Sequence, residues 1–143
     1  LAELTSSLAT GAVASALVLI NGWLFLPAFG LWLALGVKAI TSVLYVRARL
    51  RLERNQPTYT LFVVISHAVT LGILAIAAFF EVVPWTVPAA MFVLFVRATV
   101  GLSSLRKIRQ PKSIGLQEIG YGLGYVMMIV TGFNLSFISI FPG

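Results

Sequence analysis

The chain has 143 residues, one domain's worth, of which 59% are hydrophobic and only 10% charged, with a mean hydropathy of +1.01;. That balance excludes a water-soluble fold, because so much apolar surface needs lipid as the solvent for most of it. The formal charge of +6 is not that of a nucleic-acid surface, since the cations stand at the ends of apolar segments, as in cytoplasmic loops. The lack of cysteine further excludes disulfides, thiolate metal sites and thiol nucleophiles.

Crossing a hydrocarbon core of about 30 Å takes roughly 20 helical residues, and five segments meet that length, at about 4–24, 28–46, 58–80, 87–105 and 114–137. The expected fold is therefore all-α, a single polytopic transmembrane helical bundle. The chain opens on Leu1, as a processed or partial sequence does, and its first apolar stretch lacks the basic region of a secretory signal;. That stretch is read as a span. Its Ser7, Gly11 and Ser15, flanked by Ala12 and Ala16, form a small-residue ridge suited to close helix packing, and Gly120-xxx-Gly124 in the fifth span repeats the pattern;. Asn21-Gly22 signals the first turn, and prolines 27, 57 and 88 stand near the starts of the next three spans;.

Orientation follows from the cations. Arg47, Arg49, Arg51 and Arg54 follow the second span, and Arg106, Lys107, Arg109 and Lys112 follow the fourth. The opposite turns carry none, so the positive-inside rule puts the N-terminus in the cytoplasm and the C-terminus outside. Trp23, Trp32 and Trp85 then fall at the outer boundary, and Tyr45, Tyr59 and Tyr121 near the inner one, as interfacial anchors;.

Two cations lie inside the spans. Lys38 and Arg97 each precede a basic end by nine residues, which places them about 13 Å into the membrane. A charge at such depth costs on the order of 3 kcal/mol, so each is expected to face protein or water. Lys38, Thr41, Ser42, Tyr45 and Arg49 share one face of the second span; Arg97, Gly101 and Ser104 share one face of the fourth;. Glu118, Tyr121 and Tyr125 form a stripe on the fifth, and His67 and Thr70 lie inside the third. The expected site is a basic, cytoplasm-facing pocket for an anionic lipid or isoprenoid headgroup, formed by Lys38, Tyr45, Arg49, Arg97, Ser104, Glu118 and Tyr121;. The competing interpretation is structural pairing of the two cations with Glu118, which by its place in the fifth span lies shallower than either.

Catalysis finds little footing. Aspartate is absent and there are only four glutamates, so no carboxylate pair holds Mg²⁺, and no metal site is expected;. Ser66 and His67 are adjacent on a helix and point to different faces, which is not a triad;. No cofactor is expected; a haem or chlorophyll ligated by His67 is the alternative, and a hydrogen-bonded packing histidine the simpler reading;.

The segments Leu44–Arg54 (LYVRARLRLER), Arg97–Ser103 (RATVGLS) and Pro111–Gly122 (PKSIGLQEIGYG) resemble the C-terminal half of the YwiC-like family of bacterial membrane proteins. The resemblance extends over about two thirds of the chain. It implies a bacterial inner-membrane protein and brings no substrate with it. The family's N-terminal segment of the form proline-lysine-x-histidine-glycine-alanine-tryptophan has no counterpart in this sequence. Within the matching segments the residues of interest are Arg47, Arg49, Arg97, Lys112 and Glu118. The resulting expectation is a non-enzymatic membrane protein whose partners are lipids, other membrane proteins or further copies of itself, and not nucleic acid. An accessory subunit of a larger respiratory or photosynthetic complex and a small-anion transporter are the alternatives.

Overall fold

The computed structural model of the chain describes residues 2–103 and 110–140, with side chains at 5–6, 8–103 and 110–136. The described residues form five helices and no strand: α1 (Ala2–Ile20), α2 (Phe25–Glu53), α3 (Thr60–Phe79), α4 (Thr86–Leu102) and α5 (Pro111–Ile140). Helices α2, α3 and α5 contain stretches long and apolar enough to cross a membrane; the apolar part of α1 and the whole of α4 are shorter. Large apolar side chains such as Phe25, Leu61, Phe79, Ile119 and Leu123 stand exposed along the outer surfaces, an exterior that suits lipid and not water.

Several boundaries differ from those expected. Helix α1 stops at Ile20 and not at Leu24, because Gly22 takes φ 88° and Asn21 Nδ2 turns back to donate to the Leu17 carbonyl at 2.8 Å;. Helix α2 then starts at Phe25 with Pro27 inside its first turn, where a missing N–H costs nothing. At its other end α2 runs past Val46 to Glu53, since leucine and arginine are good helix formers. Nothing interrupts it before Asn55, at φ 54°, and Pro57. The exposed Arg47 and Arg51 thus stand on a helical extension and not in a loop, with Arg54 as its cap. Its 29 residues span about 43 Å, longer than the hydrocarbon core. Helix α5 begins at Pro111 instead of Ile114, proline being pre-set for the first helical position.

Helix α2 is the hub and packs on each of the other four, while α1 rests on α2 alone among the described residues. There Gly11 lies against Trp32 and Leu35, Gly36 lies against Leu8, and Ser15 is buried. Trp32, expected at the outer boundary, packs against α1. It lies seven residues into α2, about 10 Å from its start, and its indole Nε1 donates to the Leu8 carbonyl at 3.4 Å. Trp23 does sit at the turn end, tilted against Phe133 with ring centroids 5.3 Å apart.

The interior has two separate apolar clusters. One, toward the Trp23 end, gathers Ala34, Leu74, Val87, Met91, Leu94 and Ile129 with their neighbours. The other, toward the arginine end, joins Tyr45, Ala48, Val63, Ala98 and Leu102. Between them, in the register of every helix but α1, falls a layer of polar residues.

Candidate functional site

That layer takes Lys38 and Thr41 from α2, His67 and Thr70 from α3, Arg97 from α4, and Glu118 and Tyr121 from α5. Its centre is an ion cluster. Arg97 Nη2 donates to Glu118 Oε2, and Lys38 Nζ stands 3.9 Å from Glu118 Oε1. The three side chains are between 11% and 20% exposed, so they are partly withdrawn from solvent without being sealed. Glu118, expected to lie shallower than either cation, approaches both. Because α5 starts at Pro111, Glu118 lies seven residues, about 10 Å, along the helix.

Two tyrosines clasp the Arg97 guanidinium, whose carbon lies 4.2 Å from the Tyr45 ring centroid and 4.4 Å from that of Tyr121. Each face supplies a cation–π attraction of about 0.5–2 kcal/mol. Tyr45 is held in turn by close approach to α4: a Cβ at Gly101 would collide with its hydroxyl. On its other side Tyr45 meets His67 edge-on, with centroids 6.5 Å apart. The His67 ring is buried, and its Nδ1 lies 2.9 Å from the Val63 carbonyl; since a carbonyl only accepts, Nδ1 carries the proton.

Lys38 is placed differently from Arg97. Its Nζ passes over Gly122, where an added Cβ would come within 3.2 Å, a position that sequence spacing did not single out. Glu118 Oε1 is buried and accepts no hydrogen bond among the described residues. The 3.9 Å gap to Lys38 is beyond hydrogen-bond reach. Two cations thus share one carboxylate, a formal excess of one positive charge.

Other expected members lie elsewhere. Arg49 is buried, donates through Nη1 to the Gly101 carbonyl at 2.6 Å and pairs with Glu53 at 3.0 Å. It joins α2 to α4 one turn from Arg97 and is already committed there. The Glu53 side chain is turned inward to meet it. Tyr125 donates its hydroxyl to the Ala34 carbonyl at 3.0 Å, joining α5 to α2. Ser104, with Arg106, Lys107 and Arg109, lies outside the described residues, as does the side chain of Ser7. Among the described residues no group of three metal-ligating side chains stands together.

A cavity of about 500 Å³ opens between α4 and α5, lined by Ala90, Val93, Leu94, Gln117, Gly120, Tyr121, Gly124, Tyr125 and Met128. Gly120 and Gly124, expected to seat another helix, meet nothing within 4 Å of an added Cβ, so in the monomer they hollow this groove. Toward the arginine end, the second apolar cluster fills the space between α2, α3 and α4. The opening described beside the ion cluster is the one between α4 and α5. Compared with known proteins, the chain matches no protein family, no curated protein and no solved structure.

Proposed function

We propose that this chain is a non-enzymatic, five-span protein of the bacterial inner membrane that holds the anionic headgroup of a lipid or isoprenoid at Lys38 and Arg97. The proposal includes a cytoplasmic N-terminus, an external C-terminus and kinship with the YwiC-like proteins, which rests on the three segments quoted above. The exposed Arg47, Arg51 and Arg54 at one end of α2 support that orientation.

The observation that carries the reading is the charge imbalance: Lys38 and Arg97 share Glu118, and the Lys38 ammonium stops 3.9 Å short of it. A phosphate accepting from Lys38 and from the remaining guanidinium donors of Arg97 neutralises the excess and satisfies both cations. The Tyr45 and Tyr121 rings fix the guanidinium plane, so little freedom is lost on binding.

The test is native mass spectrometry of the purified protein titrated with phosphatidic acid, phosphatidylglycerol and phosphatidylcholine. Lys38→Met leaves Arg97 and Glu118 as a neutral pair. It removes one charge-assisted hydrogen bond of about 1.5–3 kcal/mol, so retention of phosphatidic acid falls at least about tenfold. Glu118→Gln raises the residual charge and strengthens retention. Unchanged binding in Lys38→Met refutes the proposal.

A further inference from the structure

The groove between α4 and α5 ends against the ion cluster. Tyr121 belongs to both, with its ring under Arg97 and in the groove wall. We infer that the groove is the seat for the hydrocarbon chain of a phosphate-headed lipid, whose head is drawn in from the inner leaflet onto Lys38 and Arg97. This rests on the headgroup reading above and adds where the tail lies.

The groove has one polar end. Gln117 and Tyr121 stand beside the cluster, and from there to Met128 the α5 wall is Gly120, Gly124, Tyr125 and Met128, facing Ala90, Val93 and Leu94. From Gln117 to Met128 is eleven residues, about 16 Å of helix. The positive end is the one nearer the arginines, so a lipid lying along the groove has its phosphate toward the inner surface and its tail directed away from it. An inner-leaflet lipid has that polarity. The tail gains little hydrophobic energy by leaving other tails. What the groove supplies is a path: the cluster lies below the membrane surface, and a head can reach it only if the chain attached to it has somewhere to lie between the helices.

Continuity with the ion cluster favours this occupant over a helix: the groove runs from two cations that share one carboxylate into an apolar wall, which matches a phosphate head joined to a hydrocarbon chain. A volume of about 500 Å³ is usual for ligand sites. The residual positive charge at the end of the groove selects an anionic lipid over a neutral one.

The experiment separates head from tail. The purified protein is titrated with lysophosphatidic acid (head and tail), glycerol 3-phosphate (head alone) and the matching monoacylglycerol (tail alone). Gly120→Leu and Gly124→Leu fill the groove from α5, and Val93→Phe fills it from α4. An added Cβ meets nothing within 4 Å at either glycine, and leucine is the better helix former, so both variants fold, which circular dichroism checks. The expected result is at least a tenfold loss of lysophosphatidic acid in all three variants, with glycerol 3-phosphate binding unchanged.

Wild-type affinity for lysophosphatidic acid in the filled variants overturns the inference and leaves the headgroup reading standing. Wild-type affinity in Lys38→Met overturns the headgroup reading itself. A dimer in the wild type that Gly120→Leu dissolves makes the groove a helix seat, which also overturns the inference.

Discussion

Because Glu118 serves two cations unequally, the three charges respond to substitution in a defined order. Arg97 holds the carboxylate by a direct hydrogen bond and is clasped by two rings, whereas Lys38 approaches only to 3.9 Å. At that separation the attraction is about 4 kcal/mol for an effective dielectric constant near 20, but the cost of withdrawing the ammonium from water offsets most of it. Lys38→Met therefore costs less than about 1 kcal/mol, the remaining pair being neutral. Glu118→Gln leaves two cations with no counter-charge and costs about 3 kcal/mol, the range for breaking a buried pair. In that background Lys38→Met removes an uncompensated charge and restores about 1–2 kcal/mol. The same substitution thus changes sign, with a coupling of about 2 kcal/mol. Reversible unfolding in mixed micelles, followed by circular dichroism on the four proteins of the cycle, measures it. A cycle that closes additively within about 0.5 kcal/mol, or further destabilisation of Glu118→Gln by Lys38→Met, refutes the shared-carboxylate account.

Other substitutions probe the frame around the cluster. Tyr125→Phe removes the hydrogen bond to the Ala34 carbonyl and lowers stability by about 1 kcal/mol, leaving Lys38-dependent lipid retention intact. Gly101→Ala drives a methyl into the Tyr45 hydroxyl and costs about 1–3 kcal/mol; adding Tyr45→Phe recovers part of that in the same unfolding assay. Arg49→Leu removes the hydrogen bond to the Gly101 carbonyl and a close cation from the buried Glu53 carboxylate and costs about 3 kcal/mol; Arg49→Lys, which keeps the charge, costs less. The native chain has no cysteine, so single cysteines report topology cleanly: with membrane-impermeant maleimide on intact cells, Glu81→Cys is labelled and Asn55→Cys is not. The reverse pattern rejects the proposed orientation.

Composition and periodicity were enough to read an all-α chain with an apolar exterior, because the need to satisfy backbone groups away from water leaves few alternatives for runs this apolar. They also pointed to Lys38 and Arg97, since an ionisable residue inside an apolar run is visible without coordinates. Helix ends were less legible. The arginine run of α2 reads as a loop by charge and as a helix by propensity, and with no breaker before Asn55 propensity prevailed;.

Which side chains meet was a tertiary matter. Glu118 lies 80 residues from Lys38, and its reach depends on where α5 begins and on α2 packing against both α4 and α5. The same packing committed Arg49 to Gly101 and Glu53, although sequence spacing had put it on the Lys38 face. It also turned Gly120 and Gly124 toward a groove. A small residue permits close approach equally to a helix and to a lipid chain, and only the placement of α4 beside α5 says which space is left. Spacing along one helix tells which residues share a face; what that face meets is set by packing between helices, which the spacing does not contain.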